Sequence, residues 1–193
     1  MISKEIITSA NLAASWLVNA QEKDGNFLLI MNLNNLAMEK YDHPRSAFSG
    51  WSLGCFGQST KNKLYLEASR NNFNYFCNHL DRIVNDDYAV ITLSYVGLMS
   101  LFFKNEKIAF KCFQRIWEKK KTELDFIASQ IVIEFLMELS KIDIDFEKKY
   151  FQIADKLKYI FEESIKNQYF FQPGLYAELL NIFPKIYDIN KNE

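Results

Sequence analysis

A chain of 193 residues is the size of one domain, and 49% hydrophobic content with 16% aromatics is enough to fill a core, which excludes a natively unfolded chain. Six Gly and three Pro favour long regular elements over a loop-rich β fold. A formal charge of −1 provides no overall field that would recruit nucleic acid or an anionic membrane.

Three cysteines, Cys55, Cys77 and Cys112, are widely spaced in helical patterns, which predicts reduced, buried thiols and no zinc site; the weak alternative of a metal held by Cys55, Cys77 and His79 lacks the spacing. The start M-I-S-K-E-I-I-T-S lacks the features of a secretory signal, and no apolar run approaches ~18 residues. The expectation is a cytoplasmic chain without membrane insertion, cofactor or nucleic-acid partner.

The first predicted helix covers residues 3–20. Leu12, Trp16 and Ala20 fall on one side with Ala13 and Leu17 beside them, so Trp16 is expected to be mostly buried. Gln21 follows where it can satisfy a helix end, Asp24-Gly25 signals a turn, and Phe27 returns an aromatic to the core. The spacing Trp16-Leu17-x-x-x-Gln21-x-x-x-Gly25-x-Phe27 resembles the QW repeat of terpenoid cyclases and, more loosely, the W-L-x-x-x-Q-x-x-D-G-x-F segments of other α/α toroids, including six-hairpin glycosidase-like enzymes. The segment T-K-N-K-L-Y-L-E-A-S-R-N-N-F-N-Y-F over residues 60–76 is similar to a connection and helix of the six-hairpin folds. The resemblance implies antiparallel helical hairpins in a partial α/α toroid, and a carbohydrate or isoprenoid as ligand. Phe27 stands where the repeat carries Trp, and the D-x-D-D acid of hopene-type cyclases is absent.

Residues 22–43 read as an irregular segment, with a short strand or a packed crossing loop near residues 27–31. Pro44 then opens a helix to about Gly57, with Asp42 or His43 at the cap, and Gly50, Gly54 and Gly57 imply a close backbone approach. Residues 63–80 form an amphipathic helix with Leu66, Phe73, Phe76, Cys77 and Leu80 inward and Lys63, Glu67 and Arg70 outward. Asp86 and Asp87 read as a cap for a helix at 88–103, whose nearly continuous apolar character makes it central; the alternative is a paired acid or metal ligand.

Further helices are predicted at residues 108–118, with the stripe Phe110, Phe113 and Trp117, and at 124–139, 146–165 and 172–186, with a frayed end at 190–193. Lys119-Lys120-Lys121 reads as compensation of a helix dipole. The fold class is all-α, a single helical domain over 1–193, as a partial toroid or a curved helical array.

The polar group Glu39, Tyr41, Asp42, His43 and Arg45 follows the irregular segment, and a carboxylate beside His and Arg can transfer protons or bind hydroxyl and carboxylate groups. Tyr41, Asp42, His43 and Arg45, with Trp51 nearby, are therefore the candidate ligand site; the alternative is an Asp42 cap paired with Arg45. No nucleophile elbow, P-loop, dinucleotide fingerprint or zincin motif occurs. The leading expectation is a non-enzymatic helical binding or interaction protein with a protein partner, and the other is a carbohydrate- or isoprenoid-processing enzyme of the glycosidase-like or cyclase-like kind.

Overall fold

A computed structural model describes residues 4–27, 31–32, 37–38, 42–86, 88–123, 126–143 and 145–146. Glu39, Tyr41 and Asp87, and the helices expected over 146–165 and 172–186 apart from Phe146 itself, lie outside the described residues. Among the described residues six helices run in the order α1 (Lys4–Asn19), α2 (His43–Thr60), α3 (Lys63–Ile83), α4 (Ala89–Phe102), α5 (Glu106–Glu123) and α6 (Phe126–Ser140). The all-α class stands, the exception being two two-residue strands, β1 (Met31–Asn32) and β2 (Ala37–Met38), which pair antiparallel with Met31 opposite Met38. No described helix is long and apolar enough to cross a membrane.

The chain divides into two compact units, Met1–Glu118 and Lys119–Glu193. In the second, α6 buries Val132, Ile133, Phe135, Leu136 and Leu139, the inward stripe of an amphipathic helix. In the first, α4 is buried on nearly every side, from Ala89 through Leu93 and Val96 to Ser100, as its apolar sequence requires.

Helices α2 and α3 pack lengthwise in opposite directions along a seam of glycines. Asn62 caps α3 by accepting from the Leu64 N–H at 3.0 Å, and Lys61 ends α2 in the left-handed conformation. A side chain at Gly57 would come within 2.9 Å of the Leu66 nitrogen, one at Gly54 within 2.7 Å of Ser69 Oγ, and one at Gly50 would overlap Asn72 Oδ1. The glycine series thus marks a helix-on-helix contact. Asn72 cannot swing aside, because its Nδ2 donates to the Gly25 carbonyl at 3.1 Å and to Ser46 Oγ at 3.1 Å. Gly50→Ala is expected to destabilise the fold by ~1–3 kcal/mol through overpacking; urea denaturation with an unchanged midpoint would refute that account of the seam.

The loop after α1 is plugged into this seam. Gln21 and Phe27 form an antiparallel bridge, and Asp24 Oδ1 accepts from the Asn26 N–H at 3.0 Å. Gly25 turns with φ +96°, against the backbone of Asn71 where any side chain would collide. Gln21 Nε2 donates to the Gly25 carbonyl at 3.0 Å and to the Ala68 carbonyl at 2.7 Å, so one amide closes the loop and fastens it to α3. Phe27 is 1% exposed and joins Ala14, Leu53, Tyr65 and Ala68 in a core cluster, with Leu17, Val18 and Phe56 packed against it.

The motif therefore works as a docking device, but its first residue is misplaced by the sequence reading. Trp16 is 58% exposed and Leu12 69%, because α1 presents Ala14, Leu17 and Val18 to the core instead. Along α5 the buried residues are likewise Ala109, Cys112 and Ile116, while Phe110 is exposed and Phe113 and Trp117 are half-buried. Trp16→Ala is expected to shift stability by less than about 0.5 kcal/mol, and Gln21→Ala to cost about 2 kcal/mol by stripping two carbonyls of a donor. Thermal and chemical denaturation of both variants checks the contrast, and a larger loss at Trp16 would reverse it.

Candidate functional site

The start of α2 gathers part of the polar group predicted from sequence. Asp42 caps the helix by accepting from the Arg45 N–H at 3.0 Å, with Pro44 in the first turn, and its other oxygen holds the Arg45 guanidinium at 3.1 Å. Asp42 and Arg45 are thus engaged with one another. His43 is turned inward instead, its Nδ1 paired with Asp86 Oδ2 across 43 positions of sequence. Its ring is walled by Tyr75 and Phe76 at centroid distances of 6.4 and 6.0 Å, and His79 lies 4.4 Å from Tyr75. Asp86 is therefore not the cap of α4; Tyr88 occupies that position and makes no side-chain cap bond.

An imidazole oriented by a carboxylate is a unit that acid–base chemistry uses, and here it also ties the start of α2 to the α3–α4 connection. Trp51 does not join it. It lies eight residues further along α2, about 12 Å of helix rise, and meets Phe102 edge-on at 5.9 Å. The thiols offer no nucleophile inside: burial pushes Cys77 up to about 11 and raises Cys112 further, so both stay protonated near neutrality. Cys55 is exposed, against the expectation of three buried thiols.

Trp51 leads to a second place that the sequence reading did not single out. A cleft of about 530 Å³ opens between the end of α2, the first half of α3 and the α4–α5 connection, lined by Gln58, Lys63, Leu66, Glu67, Arg70, Phe102, Phe103 and Lys104. Its apolar wall is braced from behind. Phe102 rests on Trp51 and meets Phe103 edge-on at 4.9 Å, while Phe103 also stacks obliquely on Phe73 at 5.5 Å. The Arg70 guanidinium lies over the Phe103 ring at 4.4 Å, a cation–π contact that restrains an otherwise mobile side chain.

Three cations, Lys63, Arg70 and Lys104, face one carboxylate, Glu67, in this lining, against a whole-chain charge of −1. None of the three cations forms an ion pair with a described acid. Lys104 stands exposed in the α4–α5 connection on a left-handed backbone, φ 58°. The outward positions Lys63, Glu67 and Arg70 were legible as one helix face; their meeting with Phe103 and Lys104 was not, since it depends on how α3 and α4 cross. Among the described residues no group of three His, Cys, Asp or Glu side chains is arranged to hold a metal.

No protein-family model, curated protein or solved structure matches the chain. The site rests on its own geometry. Asp42→Ala is expected to lose ~1 kcal/mol of stability as a cap, a loss that thermal unfolding would register, and a variant as stable as the parent would contradict the capping role.

Proposed function

We propose that this chain is a non-enzymatic helical binding protein whose ligand occupies the cleft between α2, α3 and the α4–α5 connection. The observation that carries the reading is the cleft itself: about 530 Å³, with a braced aromatic wall and polar groups at its rim. That volume lies in the usual range of small-molecule sites, roughly 300–1,000 Å³.

Binding is favoured over catalysis because Asp42 and Asp86, the described acids beside His43, already have structural tasks. Asp42 holds a helix end and Arg45, and Asp86 holds His43. A glycosidase-like or cyclase-like activity calls for acids directed at a substrate instead, in glycosidases a pair ~5–10 Å apart.

Kinship with the α/α toroids, and an arrangement of antiparallel helical hairpins, belong to the same proposal. What supports them is the W-L-x-x-x-Q-x-x-x-G-x-F segment, in which Gln21 joins the loop to α3, and the opposed packing of α2 and α3.

The test is amide-resolved NMR of the full chain titrated with small aromatic fragments of mixed charge. Shifts are expected to gather at Gln58, Leu66, Phe102 and Phe103, and Leu66→Trp, which fills the half-buried floor, is expected to abolish them. Fragments that leave these amides unmoved, or that bind equally to the filled variant, would overturn the reading.

A further inference from the structure

We propose that the cleft is specific for a small organic anion: a phosphate or carboxylate head on a flat apolar body. The inference rests on the binding reading above and adds the chemical class of the ligand.

Charge supplies the first part of the argument. Lys63, Arg70 and Lys104 outnumber Glu67 in the lining and form no ion pair with a described acid, so an anion entering the cleft meets net positive charge. One of the three is also restrained. Arg70 is held over the Phe103 ring at 4.4 Å, and a guanidinium restrained on a ring keeps its N–H edge available to a planar oxyanion at small entropic cost.

The wall supplies the second part. Phe102 is half-exposed and backed edge-on by Trp51, whereas the half-exposed Phe103 carries Arg70 over its ring and meets Phe73 obliquely, so Phe102 is the part of the wall left to a ligand. An apolar surface that is rigid and open stacks well with a flat group and poorly with a hydrated inorganic ion. A cationic rim beside an aromatic wall selects a molecule with both characters.

The experiment uses the full chain and four probes: phenyl phosphate, phenol, benzylamine and inorganic phosphate, each titrated by NMR and by calorimetry. Phenyl phosphate is expected to bind at the cleft on the order of tenfold or more tighter than phenol, the size of one or two charge-assisted hydrogen bonds. Benzylamine and inorganic phosphate are expected to bind more weakly still. The preference for phenyl phosphate over phenol is expected to collapse in both Arg70→Gln and Lys104→Gln, whose side chains are exposed, with the melting temperature of each variant measured alongside.

The outcomes separate the two claims. Phenol binding at the cleft as tightly as phenyl phosphate would overturn the anion class and leave the binding reading standing. Inorganic phosphate binding as tightly as phenyl phosphate would overturn the need for a flat body. No probe at the cleft would overturn both readings, and a preference unchanged in both folded variants would remove Arg70 and Lys104 from the site.

Discussion

The carbonyl of Gly25 is the point on which the first unit depends. It accepts from Gln21 and from Asn72, so a loop that would otherwise lie on the surface becomes part of the interface between helices. Once seated, the loop delivers Phe27 to the core and hands its N–H to Ser46, whose hydroxyl in turn donates to Asn26. Each polar group there is oriented by the next. Asn26 Nδ2, Ser69 Oγ and Asn72 Oδ1 have no partner among the described residues, and for Asn72 the neighbour is the bare Cα of Gly50. A weak Cα–H contact of that kind recurs where helices approach closely, and only glycine permits it here.

The two polar places of the unit lie at opposite ends of α2. At its start, His43 and Asp86 form a closed pair that connects segments distant in sequence. At its end, Gln58 and the turn through Lys61 leave the Lys63, Glu67 and Arg70 face of α3 uncovered, and Arg70 and Lys104 frame the gap. The difference is one of satisfaction: the charges at the first place have partners, and those at the second are met by an aromatic ring and solvent.

What was legible in the sequence follows from locality. The Asp42 cap, Pro44 in the first turn, the glycine seam, the buried α4 and the outward face of α3 are all written within one or two helical turns. Trp16 was misread because α1 has apolar residues on two sides. Periodicity identified a broad face at Leu12, Ala13, Trp16, Leu17 and Ala20, but the core took Leu17 from that face together with Ala14 and Val18 and left Leu12 and Trp16 exposed. Asp86 was misread for a different reason, since a carboxylate beside a helix start reads as a cap until a histidine from elsewhere claims it. The cleft was illegible because its wall and rim come from separate helices.

The reach of the Gly25 clamp also bears on the order in which the unit assembles. Gln21 and Ala68 are 47 positions apart, whereas α2 and α3 meet across a two-residue connection and zip from Gly57 and Leu66 outward. Short-range contacts form early because they close small loops, and distant ones follow once there is a surface to receive them. The α2–α3 pair is that surface, and α1 with its loop is expected to dock after it forms. By the same logic a fluctuation that frees Gly25 would lift α1, a separable outer layer on the rest of the unit, away before the glycine seam opens.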